Sequence, residues 1–434
     1  MRKYASEVTQ KEEGNEVHLA GWVHEIRDLG KLKFIILRDR TGLIQLTLKK
    51  GSSPEEVFAV ANELIKETAI ECKGIAKASK IAHLGREVFP TEMKIVGKVL
   101  KQVPFEVTGK VPAELDVRLD NRSIDLRRIE TQAIFKIRAE VQKAFRETLN
   151  NEGFQEINPP CLVGSATEGG TDLFPVIYFE REAFLAQSPQ LYKQLAVLGG
   201  IDKCFMITPV WRAEKHNTTQ HLNEITQMDA EMGFSDEKYA VEVLEKVFIG
   251  MLSAVKSNCG EQLKTLNVEL KVPEKVKSHT YTGLVELLNK EGIRMEWGED
   301  FSKENEAKIS EIIEKKDKSD AYFITEWPIQ VRAFYSMPFE NKKEICRAYD
   351  LMYRGLEISS GAQRIHDPEM LAKQIRSRGM NPENFESYID AFRYGAIPHA
   401  GWSIGAERLV MKICNLKNIR EAALFPRDRN RLTP

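Results

Sequence analysis

The stretch that organises this chain is FMITPVWRAEKHNTTQHLNEITQMDAEMGF, residues 205–234. It begins with an apolar run of strand character and turns polar at 215–220. It then returns with a second run whose apolar positions are Leu222, Ile225 and Met228. This order predicts two antiparallel strands joined by a loop.

Polar and charged side chains gather on one face of this predicted strand pair. Arg212 and Glu214 lie two residues apart, and alternate residues of a strand point to the same side. His221 and Asp229 return near them on the second strand. A guanidinium binds phosphate and a carboxylate accepts from an adenine amino group, so this face suits a nucleotide. The alternative, a solvated charged hairpin, is not excluded by this stretch alone.

The bulk composition limits the class of protein. A chain of 434 residues exceeds the usual size of one core, which predicts two domains or one large domain with an appendage. Its 63 basic and 64 acidic residues give a net charge of −1, which excludes binding of nucleic acid through bulk charge. With 42% hydrophobic and 29% charged residues, no membrane-spanning run and no signal-peptide core, we expect a cytoplasmic protein.

The cysteines are scattered along the chain and form no Cys-x-x-Cys pair. This spacing predicts buried, reduced thiols rather than zinc ligands or disulfides. The six positions are Cys72, Cys161, Cys204, Cys259, Cys346 and Cys414.

The first hundred residues predict a small barrel. A helical spacing at 57–65 separates the third and fourth of five strand-like runs, at 17–26, 32–37, 43–48, 69–76 and 87–96. This is the order of an oligonucleotide-binding (OB) barrel. On it Phe34 could stack on an unpaired base and Gln45 could bond a base edge, although Phe34 could equally be core. The accompanying cations are Arg27, Lys33 and Arg38.

Beyond the barrel the pattern changes twice. Periodicity fades at 103–129, where prolines and charges predict a hinge, and a helix follows at 130–150. The glycines near Glu168 suggest a mobile loop around that carboxylate. A helix starting at Pro189 would make Gln190 and Lys193 neighbours, and a buried lysine there would need a carboxylate partner.

The C-terminal part supplies further candidate ligands. Residues 236–340 show helices and a strand at 321–325, with no chemistry beyond a solvated surface. Arg364 follows a Ser-Ser-Gly segment interpreted as a turn, and 401–411 predicts a strand entering a helix that carries Arg408. Oxygen ligands suited to magnesium on a nucleotide are Asp350, Glu357 and Ser360.

Together these pieces resemble the class II aminoacyl-tRNA synthetases of subclass IIb, specifically the archaeal and eukaryotic aspartyl type. GFQEINPP at 153–160 resembles the first family motif, 205–234 the second, and GAER with Arg408 the third. The resemblance implies an α+β protein with an antiparallel catalytic sheet flanked by helices. It implies an OB-fold anticodon-binding domain, a hinge and a class II catalytic domain at 1–102, 103–129 and 130–434.

The resemblance also implies a reaction and its residues. L-aspartate would be joined to tRNA through an aspartyl-adenylate, with ATP and Mg²⁺, by a homodimer whose interface includes Pro160. The catalytic residues would be Arg212 and Arg408, and ATP would be bound by Arg212, Glu214, His221, Glu357 and Arg408. Aspartate would be bound by Glu168, Gln190, Lys193, Arg212, Asp229, Ser360 and Arg364. The metal ligands would be Asp350, Glu357 and Ser360, and the anticodon residues His24, Arg27, Phe34, Gln45 and Glu87.

Three alternatives bear on the substrate. Lys193 and Arg364 would keep uncompensated positive charge beside a neutral amide, which favours aspartate over asparagine, and asparaginyl-tRNA synthetases generally lack this lysine. A tRNA-independent asparagine synthetase would lack the barrel. A catalytically silent relative would lack a motif arginine, and Arg212, Arg364 and Arg408 are present.

The choice of tRNA depends on two positions. In this family, histidine at the position of His24 accompanies charging of both tRNA-Asp and tRNA-Asn, whereas tryptophan accompanies restriction to tRNA-Asp. The segment 81–85 lacks a proline often found in the relaxed enzymes. We expect a non-discriminating enzyme, with a strictly tRNA-Asp-specific one as the alternative. Ile225 departs from the pattern, because relatives often place an aromatic there beside adenine.

Overall fold

The computed structural model describes residues 1–80, 82, 85–164, 172–215 and 217–434. The chain divides into two compact units, residues 1–132 with Pro434, and residues 133–433. Among the described helices, none combines the length and apolar character needed to cross a bilayer. The six cysteines are free thiols, five of them buried and Cys161 partly exposed.

The first unit contains a closed five-stranded barrel. Its elements are β1 (Glu16–Asp28), β2 (Leu32–Asp39), β3 (Gly42–Lys49), α1 (Glu55–Glu63), β4 (Ala69–Ala78) and β5 (Arg86–Gly97). The order around the barrel is β1-β2-β3-β5-β4, with β3 and β5 parallel and the other pairs antiparallel. Each strand ends within two residues of its predicted limit, and the OB-fold prediction is confirmed.

Alternation builds the interior of this barrel. Ile35 and Leu37 on β2 point inward with Leu46 and Leu48 on β3, because every second side chain of a strand faces the same way. The segment predicted to be a hinge contains the short helices α2 (Leu115–Asp120) and α3 (Arg122–Asp125). The compact units divide between Gln132 and Ala133, so the predicted domain limits remain a prediction.

The second unit is built on an eight-stranded sheet and a small three-stranded one. Its strands are β6 (Gln155–Glu156), β7 (Leu162–Val163), β8 (Pro175–Tyr178), β9 (Arg181–Leu185), β10 (Lys203–Trp211), β11 (Glu224–Gly233), β12 (Lys277–Thr280), β13 (Ala321–Pro328), β14 (Ile345–Tyr353), β15 (Leu356–Gln363) and β16 (His399–Gly405). The helices that complete the chain are α4 (Ile129–Asn151), α5 (Gln190–Leu198), α6 (Glu237–Asn258), α7 (Gly260–Thr265), α8 (Tyr281–Lys290), α9 (Lys303–Asp317), α10 (Pro368–Ser377), α11 (Glu386–Arg393) and α12 (Ala406–Ile413).

The large sheet has the order β12-β13-β14-β15-β16-β11-β10-β6, and β7-β9-β8 form the small one. Its six inner strands are antiparallel as predicted, but both edge strands pair in parallel, so the sheet is mixed. The expected Ser-Ser-Gly turn before Arg364 is wrong, because Ser359, Ser360 and Gly361 lie within the continuous strand β15.

The core of this unit lies between the sheet and the long helices α4 and α6. Apolar residues recur at helical spacing on α4, at Ile134, Ile137, Val141 and Phe145, and their side chains are buried. The ring of Phe145 meets that of Trp402 on β16 edge to face, with centroids 6.1 Å apart. This packing holds the central strands in a fixed position.

Candidate active site

A cavity of about 330 Å³ lies in the second unit, beside the central strands of the large sheet. The predicted residues that line it are Gln190, Arg212, Glu214, His221, Glu357, Ser360, Arg364 and Arg408. These side chains come from four separate parts of the sequence, at 190, 212–221, 357–364 and 408. A solvated charged hairpin would not bring such distant segments around one cavity, so that alternative fails.

Arg212 and Glu214 follow the end of β10, in the loop that leads to β11. Asn223 fixes this loop: its Nδ2 donates to the carbonyls of Arg212, at 2.7 Å, and Glu214, at 3.1 Å. The backbone N–H of Arg212 in turn donates to the Asn223 carbonyl at 2.9 Å. The two charged side chains are therefore presented to the cavity by a loop whose backbone is held by hydrogen bonds.

The start of α12 presents Arg408 to the same cavity. Its Nη1 donates to the Glu357 carbonyl at 3.0 Å and lies 3.6 Å from Glu357 Oε1. The neighbouring Glu407 fixes the helix: one oxygen lies 2.7 Å from Arg138 Nη2 on α4, and the other accepts from the backbone of Thr226 on β11 at 2.9 Å. One carboxylate thus joins three elements that form the site.

Four charged side chains form a buried group beside the cavity, which we call the charge cluster: Lys193, Asp229, Glu231 and Arg364. Lys193 Nζ lies 2.8 Å from Asp229 Oδ2 and 3.5 Å from Glu231 Oε2. It also donates to the Trp402 carbonyl at 3.1 Å. Arg364 donates Nε and Nη2 to the two oxygens of Glu231 at 2.8 and 3.1 Å. The prediction that a buried Lys193 has a carboxylate partner is confirmed.

The charges of this cluster balance. Burial opposes ionisation of Glu231, but Arg364 and then Lys193 outweigh it and lower the pKa of this carboxyl. Two cations therefore meet two carboxylates, and the expectation of uncompensated positive charge beside a neutral amide is wrong. Asp229, predicted to lie near the substrate ammonium, is instead ion-paired with Lys193 and accepts a hydrogen bond from Ser403 Oγ at 2.7 Å.

Glu231 was missed in the sequence, although a signal was present. It lies two residues after Asp229 on β11, so both carboxylates share the face that meets Lys193. Arg364 lines the cavity, and its Nη1 makes no hydrogen bond with the described residues. That nitrogen remains available to an acceptor group on a ligand.

Gln190 connects the cavity to a buried hydrogen-bonded chain. Its Nε2 donates to Gln194 Oε1 at 2.9 Å, which also accepts from Tyr388 Oη at 2.9 Å. Gln194 Nε2 lies 2.9 Å from His399 Nε2, while His399 Nδ1 lies 2.8 Å from the Ile397 carbonyl. Burial lowers the pKa of His399. A neutral ring that donates from Nδ1 and accepts at Nε2 satisfies both contacts.

The strand β16 approaches the charge cluster with no side chain at Gly401, the Cα partner of Glu231 on β11. A Cβ added there would lie 2.0 Å from Glu231 Oε2 and 2.4 Å from the Ala230 carbonyl. Glycine is therefore required at this position because Glu231 occupies the space of a side chain.

The predicted metal ligands are only partly assembled. Asp350 and Ser360 are Cα partners across β14 and β15, and Glu357 and Ser360 line the cavity. Asp350 does not line it but is ion-paired with Arg332, and burial raises the pKa of Asp350 to about 7. Among the described residues, no group of three or more His, Cys, Asp or Glu side chains is arranged to hold a metal.

One observation nevertheless fits a metal at this place. Asp350 Oδ1 is buried and has no hydrogen-bond partner among the described residues. A buried carboxylate oxygen without a partner is costly, and it is a ligand that magnesium accepts. Arg332, from the segment 236–340 in which the sequence showed no functional chemistry, also lines the cavity.

Two further predicted residues lie away from this geometry. Glu168 falls in 165–171, outside the described residues, so its predicted contact with substrate stays a prediction. Pro160 is exposed, and its predicted place in a dimer interface also stays a prediction.

A separate group of predicted residues shares one surface of the barrel. Arg27 lies opposite Phe34 across β1 and β2, and Gln45 lies opposite Glu87 across β3 and β5. Gln45 Nε2 donates to Glu87 Oε2 at 3.1 Å. Phe34 is half-buried and lies outside the apolar core cluster, so its interpretation as core is wrong.

Two further cations of the barrel that were predicted to lie on its nucleic-acid surface are buried instead. Lys33 is buried because it lies two residues before Ile35, on the same inward face of β2. Its Nζ donates to Asn62 Oδ1 at 2.7 Å. Arg38 is buried and pairs with Glu67 at 2.7 Å.

His24 is also withdrawn from the surface that carries Phe34. It falls at the register shift between Val23 and Glu25, and only 8% of it is exposed. Its Nδ1 lies 2.9 Å from Arg38 Nη1, and burial followed by the charge of Arg38 lowers its pKa.

Family comparison places this geometry among known proteins. The family model described as tRNA synthetases class II (D, K and N) matches residues 114–429, and the OB-fold nucleic acid binding domain matches residues 17–96. The chain is 51% identical to the aspartate--tRNA(Asp/Asn) ligase of Methanococcus vannielii and 49% identical to that of Methanocaldococcus jannaschii. Each match covers 432 residues, 99% of this chain and 98% of the relative.

Solved structures agree. The asparaginyl-tRNA synthetase of Pyrococcus horikoshii with asparaginyl-adenylate superposes with a TM-score of 0.94 at 32% identity, over 100% of both chains. The aspartyl-tRNA synthetase of Entamoeba histolytica gives 0.89 at 30% identity, over 100% of this chain and 93% of the other. The chain therefore belongs to the class II aminoacyl-tRNA synthetases of the aspartate, lysine and asparagine group.

Proposed function

We propose that this protein attaches L-aspartate to tRNA through an aspartyl-adenylate and charges both tRNA-Asp and tRNA-Asn. The observation that carries the proposal is the charge cluster, in which Glu231 fixes Arg364 and leaves its Nη1 beside the cavity. Relatives about half identical over their whole length bear the name aspartate--tRNA(Asp/Asn) ligase, which supports the same assignment.

Selection of aspartate follows from donors rather than from net charge. Lys193 and Arg364 carry only hydrogen-bond donors, and both are buried. A substrate carboxylate would accept from Arg364, whereas an asparagine side chain must turn either its single carbonyl or its own donors toward this arginine. Lys193, already bonded to Asp229 and to the Trp402 carbonyl, would act by fixing the carboxylates around the arginine. Donors facing donors without water cost several kcal/mol, on the order of 10⁴-fold in selection by a site built for one hydrogen-bonding pattern.

The nucleotide would lie against the other lining residues. Arg212 would hold the α-phosphate and the amino-acid carboxylate, Glu214 would accept from the adenine amino group, and His221 and Arg408 would hold the outer phosphates. Gln190 would bond the substrate near its ammonium, and Ile225 would pack against the base as an aliphatic side chain. These positions all line the same cavity.

The chemistry is an in-line displacement. An oxygen of the aspartate α-carboxylate attacks the α-phosphorus of ATP, and the bond to pyrophosphate breaks. The tRNA 3′-hydroxyl then attacks the carbonyl carbon, forming the ester and releasing AMP. Because the attacking and attacked groups are both anionic, the Arg212 guanidinium would lower the barrier by neutralising charge that builds on phosphoryl oxygens.

Magnesium would be held by Asp350, Glu357 and Ser360. When bound, it supplies positive charge to the phosphates of the nucleotide. The unpartnered Oδ1 of Asp350 supports this assignment, and the pairing of Asp350 with Arg332 requires that side chain to move before both oxygens are available.

The barrel would bind the anticodon. Phe34 would stack on a base, and Arg27, Gln45 and Glu87 would contact the neighbouring nucleotides. His24 would act through Arg38 rather than by touching a base, because it is buried. We further assign a cytoplasmic homodimer with Pro160 at its interface, as in the sequence-based expectation.

The test is ATP–pyrophosphate exchange with aspartate and asparagine in parallel, followed by charging of tRNA-Asp and tRNA-Asn transcripts. We expect exchange with aspartate alone and aspartylation of both transcripts. Exchange with asparagine alone would establish the second candidate, an asparaginyl-tRNA synthetase, which the similarity to the Pyrococcus horikoshii structure favours. Aspartylation of tRNA-Asp alone would refute the proposed dual charging.

A further inference from the structure

Arg332 occupies an unusual position in the candidate site. It follows a short 3₁₀ helix at Ile329–Val331 and lines the cavity. Its guanidinium carbon lies 3.6 Å from the ring centroid of Trp327, and its Nη2 is paired with Asp350. Its Nε is buried and makes no hydrogen bond with the described residues. The side chain is therefore held by a stacking contact and one carboxylate.

The carboxylates near Arg332 are those assigned to the metal. Arginine stays protonated in proteins, so the guanidinium of Arg332 places a positive charge directly beside Asp350. It thus occupies the place beside Asp350 where a bound cation would otherwise supply positive charge. A divalent cation bound at Asp350 Oδ1 would lie close to the guanidinium that is paired with the other oxygen of the same carboxylate, and the two positive charges would repel each other.

We propose that Arg332 is a resident counterion that keeps a divalent cation from Asp350 until nucleotide is bound. In the free protein, the cation must displace the guanidinium and leave it unpaired in a buried position, which weakens cation binding. When a nucleotide enters the cavity, its phosphates offer the guanidinium another partner, and Asp350 is released. This role rests on the metal assignment made in the proposed function. Arg332 is a positioning residue here.

The chain offers a matched control. Arg347, on the strand β14 that also carries Asp350, likewise combines an ion pair with a stacking contact. Its Nη1 lies 3.0 Å from Glu237 Oε1, and its guanidinium carbon lies 4.5 Å from the centroid of the Phe339 ring. It is not among the residues that line the cavity. Arg347→Gln therefore removes the same kinds of contact without freeing Asp350.

The experiment measures binding of Mn²⁺ to the full-length protein by electron paramagnetic resonance of the free ion. Without nucleotide, Arg332→Gln should bind Mn²⁺ roughly 5- to 150-fold more tightly than the wild type, the usual range of coupling between two sites. Arg347→Gln should bind as the wild type does. Adding Asp350→Asn to Arg332→Gln should abolish the gain. Equal affinity of Arg332→Gln and the wild type would overturn the proposal.

A second variant covers the case in which Arg332→Gln does not fold. Asp350→Asn alone should weaken Mn²⁺ binding at least about tenfold more with a non-hydrolysable ATP analogue than without it, because Asp350 is available only in the first state. An equal effect in both states would contradict the inference.

The inference and the proposed function fail separately. A wild type that exchanges pyrophosphate with aspartate, together with unchanged Mn²⁺ binding in Arg332→Gln, removes only the inference. A gain in Mn²⁺ affinity in a protein that activates no amino acid removes only the function.

Discussion

Each unit of the protein contains a buried arginine that grips a glutamate with two nitrogens. In the barrel, Arg38 donates to both oxygens of Glu67, at 3.0 and 2.7 Å; in the second unit, Arg364 grips Glu231 in the same way. The difference lies in the surroundings. Glu67 also accepts from Arg127 at 3.1 Å, so carboxylate and arginines satisfy each other within the barrel unit. Arg364 instead lines a cavity and keeps one nitrogen for a ligand.

The comparison teaches that a buried ion pair is not by itself a sign of function. What distinguishes the two pairs is whether a donor remains unused next to a space large enough for a substrate. We therefore expect the pair in the barrel to control stability and the pair in the charge cluster to control substrate choice. The predictions below test this separation.

The largest effect is expected at Lys193. Lys193→Leu removes one partner of a buried ion pair and leaves Asp229 uncompensated, which costs about 3–5 kcal/mol of stability. If the same cost falls on the site when aspartate reacts, aspartate-dependent pyrophosphate exchange falls roughly 150- to 5,000-fold. Lys203→Leu is the control, because Lys203 is half-buried beside Phe154 and Tyr239 but does not line the cavity. Unchanged exchange in Lys193→Leu would break the assigned role of the charge cluster.

Arg38→Leu should destabilise the barrel by a similar amount, about 3–5 kcal/mol, without affecting amino-acid activation. Burial raises the pKa of Cys72 in the barrel and of Cys204 beside the charge cluster to about 12, so neither thiol reacts in the closed protein. In Arg38→Leu, mass spectrometry after alkylation of the native protein should show faster labelling of Cys72 but not of Cys204, because labelling of a buried thiol follows local opening.

In Glu231→Gln the opposite pattern is expected, with faster labelling of Cys204 and unchanged labelling of Cys72. Arg40→Leu, two residues after Arg38 and exposed, should label as the wild type does. If Arg38→Leu lowered pyrophosphate exchange measured without tRNA, the two pairs would not be functionally separate.

A smaller effect is expected on the exposed surface of the barrel. Phe34→Ala should remove a stacking contact worth about 1–3 kcal/mol per base, raising the KM for tRNA roughly 5- to 150-fold. Pyrophosphate exchange without tRNA should stay at the wild-type rate. Phe34→Tyr, which keeps the ring, should leave the KM for tRNA near that of the wild type. A normal KM for tRNA in Phe34→Ala would remove this surface from anticodon recognition.

The smallest effect concerns pH, and each unit contributes one histidine. Burial lowers the pKa of His24 and of His399 below the usual 6.5. Below about pH 6.5 the unfolded chain therefore binds more protons than the folded protein, so stability is full above that pH and falls as the pH decreases. The maximum slope is about 1.4 kcal/mol per pH unit for each histidine.

Urea unfolding between pH 5 and 7.5 would measure these two contributions. His24→Gln should flatten the pH dependence of barrel unfolding, and His399→Gln that of the second unit. Identical slopes in the variants and the wild type would show that neither histidine is linked to folding.

Local patterns predicted the barrel strands and part of the elements of the second unit. Period-two alternation gave the barrel strands, and the strand-loop-strand order of 205–234 gave β10 and β11. The eight lining residues that the structure brings together were also singled out from the sequence, and the resemblance to the family supplied their expected roles. These features depend on neighbours in sequence or on motifs whose spacing is fixed, so they are visible without coordinates.

What the sequence did not predict depends on partners that are distant in the chain. An arginine such as Arg38 is usually expected on the surface. It is buried here because it pairs with Glu67, 29 residues later in the chain. His24 is displaced by an extra residue in a strand, which alternation cannot place. Arg332 gives no local signal, because its proposed role comes from Asp350 on β14, 18 residues later in the chain.

Gly401 limits how this enzyme could be redesigned. The strand that carries it meets Glu231 so closely that no methyl group fits between them. Attempts to shrink the amino-acid pocket by adding bulk at that wall would displace the glutamate before they reached the ligand. To accept a different substrate amino acid, the protein would have to exchange Lys193 or Arg364 together with its carboxylate partner. New specificity would therefore evolve through paired substitutions.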